Sequence, residues 1–122
     1  MRKTIPALFI IVCFLFVSFR TDFKISAKTI PTTITVPDDF NSIQKAINNA
    51  SEGSTIFVRM GTYPENVVIN KSIALIGEDR DYTIIDGSRS GNVIVIRTSK
   101  ARVERFTIRN GGGANSGILV DH

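Results

Sequence analysis

Apolar residues are distributed along this chain in three different ways, and each predicts a different kind of segment. From Ala7 to Phe19, "ALFIIVCFLFVSF", they run without interruption except at Ser18. In "DDFNSIQKAINNASEG", Ile43, Ala46, Ile47 and Ala50 recur at i, i+3, i+4 and i+7, one face of an amphipathic helix. After Gly53 they come in short Ile- and Val-rich groups bounded by Gly, Asn, Asp, Ser or Pro, which is the signature of strands and turns.

The helix has its own punctuation. Asn41 followed by Gln44 reads as an N-cap with its capping-box partner, and Gly53 lies just past the end. Thr32–Val36, "TTITV", alternates as a strand that Pro37 ends. The later strands are predicted at Thr55–Met60, Asn66–Asn70, Ser72–Gly77, Tyr82–Asp86, Asn92–Arg97, Arg105–Asn110 and Gly117–Val120. Between them lie the corners "GTYPE" and "GEDRDY", too long and lacking the Asn-Gly pair of a two-residue hairpin turn.

These strands repeat. "STIFVRMGTYPENVVINKS" and "KSIALIGEDRDYTIIDGS" each run strand, polar corner with a Tyr, strand, then Asn70 or Asp86, and "RVERFTIRNGG" ends likewise on Asn110. Strands that recur once per coil and stack on their equivalents make a parallel β-helix, in which neighbouring coils bury each other's apolar side chains. Asn or Asp at a repeated corner suits this, because the side chain bonds local backbone and tolerates left-handed geometry. The lone helix, placed before the first coil, is expected to cover the otherwise open end of the stack.

Composition then changes the reading of the N-terminus and of the charge. Met1, Arg2 and Lys3 precede the apolar run, whose 13 residues suit a secretory leader and fall short of the roughly 20 needed to span a bilayer. We therefore expect a signal peptide over residues 1–27, or an uncleaved anchor that would be the chain's one contact with membrane. A leading strand segment over 28–37, a capping helix over 38–53 and the first coils over 54–122 follow. The formal charge is +4, but residues 1–27 hold four bases (Arg2, Lys3, Arg20, Lys24) and one acid (Asp22). The remainder is close to neutral, so the basic balance does not point to nucleic acid. Cys13, the single cysteine, lies in the leader, so neither a disulfide nor a thiolate ligand is expected in the exported part.

The run from "TVPDDFNSIQKAINNA" through "GSTIFV", "GTYPENVVI", "IALIGE" and "TIIDG" resembles the opening of right-handed parallel β-helix proteins of the pectin-lyase-like superfamily. It is most similar to the start of pectin methylesterases and of NosD-type periplasmic proteins, over roughly Val36 to Val120. The resemblance implies an all-β, right-handed solenoid with an N-terminal capping helix, secreted, periplasmic or at the cell surface, with polysaccharide as partner class. It implies no activity here, since the aspartates, arginine and glutamines of the esterase pattern have no match in this chain. "VERFTIRNGG" and "NSGILVDH" incline towards the NosD side. The chain ends at His122 directly after a strand, so it reads as the front of a longer protein or a truncated product, with an exposed last coil expected to aggregate.

Candidate chemistry is sparse. Glu78, Asp79, Asp81 and Asp86 are oxygen donors of the kind Ca²⁺ takes, but a solvated corner with Arg80 as counter-ion explains them better. Arg97, Arg102, Arg105 and Arg109 could hold an acidic polysaccharide, while outward positions between Val103, Phe106 and Ile108 account for them more simply. Tyr63 and Tyr82 are either sugar-stacking platforms or corner packing, the second favoured. His122, the only histidine, stands at the terminus, so a histidine triad or copper site lacks material. "NGGGANSG", Asn110–Gly117, lacks the lysine and helix of a phosphate loop. The expectation is thus a carbohydrate-associated binding or scaffold module of NosD-like type with no catalytic residue, no metal site and no cofactor of its own. The alternatives are the opening of a pectinesterase-like or lyase-like enzyme, and a non-functional fragment.

Overall fold

The structure, a computed structural model, describes residues 30–114 and 117–121. The expected leader therefore lies outside the described residues. Ten short strands and one helix follow in order: β1 (Thr33–Val36), α1 (Ile43–Asn49), β2 (Thr55–Val58), β3 (Gly61–Tyr63), β4 (Val67–Ile69), β5 (Ala74–Gly77), β6 (Thr83–Asp86), β7 (Ile94–Ile96), β8 (Arg102–Glu104), β9 (Thr107–Arg109) and β10 (Ile118–Val120). Every pairing is parallel. A first sheet runs β1-β2-β5-β8, a second β3-β6-β9 and a third β4-β7-β10. The chain visits the three sheets in turn and so forms a parallel β-solenoid of about 4 turns.

Stacking follows from the pleat. Alternate residues point inward, and the register superimposes like on like in successive coils about 4.8 Å apart. Ile34, Ile56, Leu75 and Val103 make one inward row, and Val67, Ile94 and Ile118 another. Ile56, Leu75, Ile69, Ile85 and Ile94 are wholly buried. Each such side chain contributes on the order of 1.5–3 kcal/mol by leaving water. Buried polar groups are satisfied: Ser54 Oγ accepts from Thr32 N at 3.0 Å, and Thr83 Oγ1 from Asp79 N at 3.1 Å.

The helix does cover an end of the stack, and the way it does so departs from the sequence reading in detail. Its N-cap is Ser42, whose side chain accepts from Lys45 N at 3.1 Å, one residue later than Asn41. Gln44 does not close a capping box. Its Oε1 accepts from Val68 N at 2.8 Å and its Nε2 donates to Val68 O at 3.2 Å. One side-chain amide thus substitutes for a neighbouring strand along the free edge of β4. Glu65 and Lys71, on either side of β4, hold the helix ends. Glu65 accepts from Ile43 N and Gln44 N at 3.0 and 3.1 Å, and Lys71 Nζ donates to the carbonyls of Ile47, Asn48 and Ala50. Ile43, Ala46 and Ile47 are the buried face.

Two strands were not expected. β3 occupies the start of the "GTYPE" corner, and β8 lies just ahead of the strand expected at Arg105–Asn110. The proposed equivalence of Asn70 with Asp86 and Asn110 also fails. Asp86 closes β6 and Asn110 follows β9, both in the second sheet, whereas Asn70 follows β4 in the third. The coils are uneven, which misled the alignment: Thr55 stacks under Ala74, 19 residues on, and Ala74 under Arg102, 28 residues on.

Candidate binding surface

Three sets of side chains singled out in the sequence could carry chemistry: the acids, the arginines and the tyrosines. Of the acids, Glu78, Asp79 and Asp81 lie on the corner from Glu78 to Tyr82, between β5 and β6. Glu78 Oε2 accepts from Met60 N at 2.8 Å, tying this corner to the coil before it. Arg105 Nη2 donates to Glu78 O at 2.6 Å and Thr107 Oγ1 to Arg80 O at 2.8 Å, tying it to the coil after. Within the corner, Asp79 Oδ1 accepts from Asp81 N at 2.8 Å. Two of these carboxylates are therefore already hydrogen-bonded to backbone amides, and Arg80 lies 3.8 Å from Asp81 with both side chains mostly exposed. That distance in water gives a weak pair.

Asp86 does not join them. It lies at the far end of β6, where Oδ2 accepts from Arg109 Nε at 2.8 Å and Asn110 Nδ2 at 2.9 Å, and Oδ1 from Ser88 N at 2.9 Å. These bonds favour the charged form and hold its carboxyl below the usual carboxylate range, the Ser88 amide first and Arg109 and Asn110 next. The pair Asp86 and Asn110 is a two-rung ladder between coils, so the corner role expected of Asn and Asp exists, at two positions. Ser88, Arg89 and Asn110 all take positive φ there (52°, 59° and 57°), the left-handed turn that these polar side chains help to hold. Among the described residues no three His, Cys, Asp or Glu side chains converge as metal ligands would.

The four arginines likewise form no common patch. Arg97 follows β7 on the third sheet, Arg102 is in β8 on the first, Arg105 is at a corner and Arg109 is on the second sheet. Arg102 is held by Glu104 of its own strand, with Nη2 and Nε at 2.7 and 3.1 Å from Oε2. The tyrosines divide. Tyr63 is buried in the core with its hydroxyl donating to Arg59 O at 2.9 Å, and burial pushes its phenol up, with the Glu65 charge adding to the effect. Tyr82 is 65% exposed on the Glu78–Tyr82 corner and its carbonyl accepts from Gly61 N. An aromatic ring open to solvent on a hydrogen-bonded corner is the one sugar-stacking candidate of the sequence that the fold leaves accessible. His122 and two residues of the Asn110–Gly117 stretch lie outside the described residues.

Of the residues that organise the capped end, sequence reasoning missed Glu65 and Lys71 and gave Gln44 a capping-box role in place of its bonds to Val68. The available signal was a pair of opposite charges bracketing "NVVIN", a pattern that also fits any solvated strand.

A parallel solenoid with a helix laid over its first coil defines the class of architecture. Its apolar ladders and corner-borne polar groups fit a pectin-lyase-like β-helix. Among curated proteins, this chain is 34% identical over 92 residues to one described as probable pectinesterase/pectinesterase inhibitor 6 from Arabidopsis thaliana. The match takes in 68% of this chain and 16% of that protein, so the chain spans about a sixth of its relative's length. No family model matches the chain, and no solved structure matches it.

Proposed function

We propose that this chain is the opening segment of an exported, pectinesterase-like β-helix, a scaffold with an outward surface for polysaccharide and without catalysis of its own. The observation that carries the reading is the similarity to a pectinesterase over 68% of the chain. The side chains support it: among the described residues Glu78, Asp79 and Asp86 are each engaged by backbone or side-chain donors at their own corners. Tyr82, projecting beside Arg80 and Asp81, supplies the stacking ring and polar neighbours that a pyranose surface uses. The expected leader would deliver the segment to the compartment where such polymers occur.

The test is a paired assay on the purified chain. Methyl-esterified homogalacturonan is offered as substrate and, separately, as immobilised ligand. Retention on the polymer that falls at least about tenfold in Tyr82→Ala, with no methanol released, is the expected result. Sustained methanol release would overturn the non-catalytic reading, and absence of retention would overturn the binding role. A NosD-like scaffold is a second reading, favoured by the Asp86–Asn110 ladder within the Asn-Gly coil. It predicts no preference for pectin over unrelated polysaccharides.

A further inference from the structure

The corner between β4 and β5 carries a pattern that the architecture does not use. Asn70 and Asn49 each stand two residues ahead of a serine, in Asn70-Lys71-Ser72 and Asn49-Ala50-Ser51, with no proline between. Asn-X-Ser is the acceptor sequence for N-linked glycans on exported chains. The fold brings the two triplets together. Lys71 Nζ donates to the carbonyls of Asn48 and Ala50, and Gly53 N donates to Ser72 O, so both lie at the C-terminal end of α1.

The two asparagines differ in what holds them. Asn49 is the last residue of α1, and its Nδ2 donates to Lys45 O at 2.8 Å, one turn back. Asn70 lies outside helix and strand, exposed, on the connection from the third sheet to the first. The bonds that fix this corner come from the backbone of Ser72 and the side chain of Lys71. Glu52 Oε2 accepts from Ser72 N at 2.7 Å, Ser72 O accepts from Gly53 N at 2.6 Å, and Lys71 gives its ammonium to the helix. The Asn70 amide and the Ser72 hydroxyl are the two groups of the triplet that these bonds leave out. The strand before Asn70 has α1 on one side and β7 on the other, so further coils beyond β7 would not cover this corner.

We infer that Asn70 is a glycan acceptor, and that an N-linked glycan stands at the capped end of the solenoid. The inference shares with the proposed function only the export of the chain and makes no use of polysaccharide binding. The donor is a sugar carried on a lipid phosphate, supplied at the exporting membrane. Asn70 Nδ2 forms a bond to the anomeric carbon of that sugar as the bond from this carbon to the phosphate oxygen breaks. The lipid phosphate leaves with the electron pair, and the proton lost from Nδ2 passes to it. The Tyr82 corner joins the first sheet to the second, with β5 between it and Asn70, so the glycan leaves the Tyr82 ring open.

The test is mass spectrometry of peptides from the chain recovered from the cells that naturally make it. The peptide holding Asn70 is expected to carry a sugar mass, and the one holding Asn49 to be bare. N70Q and S72A, expressed in the same cells, should each abolish the sugar mass, and S72T should keep it. Ser72 holds its corner through backbone groups, so S72A removes the hydroxyl without removing those bonds. Thermal melts of each variant confirm that the fold is retained. An exported chain with a bare Asn70, a glycan on Asn49 alone, or a glycan that survives S72A would overturn the inference and leave export standing. A chain found only inside the cell would overturn both.

Discussion

Glu65 and Lys71 stand at opposite ends of β4 and act on the two ends of one helix. A carboxylate at the N-terminus and an ammonium at the C-terminus complement the helix dipole, and both also fill backbone groups that a seven-residue helix cannot satisfy internally. Glu65→Ala and Lys71→Ala are each expected to lower stability by about 1–3 kcal/mol, the range for charge-assisted hydrogen bonds. Urea denaturation checks this, and a loss under 0.5 kcal/mol, about the size of a neutral surface change, would contradict it. Asp86 gives a pH signature at the same scale. Its folded carboxyl titrates below its unfolded value, so its stabilisation is full above the ordinary carboxylate range, near pH 4. That stabilisation is lost as pH falls through the lower folded value. The native chain should lose stability on acidification from about pH 5 downwards more steeply than Asp86→Asn. Parallel thermal melts across that range provide the comparison, and identical slopes would rule out the assignment.

Elements were legible in proportion to how many side chains each commits to the core. α1 was readable because Ile43, Ala46 and Ile47 fall on one face and are all buried. Its start was misplaced by one residue because Asn41 and Ser42 are both good capping residues, and only the side-chain bond to Lys45 N separates them. Ser42→Ala should therefore cost about 1 kcal/mol and Asn41→Ala much less, as measured by thermal or chemical unfolding. β3 and β8 escaped notice because three residues with a single inward apolar side chain, Tyr63 or Val103, carry almost no periodicity. Gln44 was legible as a helix residue but not as a stand-in for a strand, since that role depends on Val68, which is 24 residues away in sequence. The candidate surface was legible only as residue types. That Arg109 meets Asp86 depends on the uneven coil lengths, which no local pattern reveals, whereas Arg102 meets Glu104 within its own strand.

For the molecule as a whole, each coil touches only its neighbours, so stability is roughly a chain of nearest-neighbour terms. β2 and β5 are covered on both sides, while among the described residues β8 pairs with β5 alone. The fully closed row of Ile56 and Leu75 opens out at Val103, which is only partly buried. The similarity to a pectinesterase and the stack of parallel coils were both within reach of the sequence, because a solenoid repeats its text. The helix over the first coil was legible too, but the side-chain ties that fasten it were not, because each joins residues more than 20 apart in a single event without a repeat to read.

The clamp on α1 also sets an order in time. A helix of seven residues is far shorter than one that holds its shape alone in water. The ties that clamp it to β4, at Glu65, Val68 and Lys71, come from chain that leaves the ribosome later. The helix is thus made before the coil it lies over, and a nascent chain stopped before Glu65 would have its cap made and none of these three ties to fasten it.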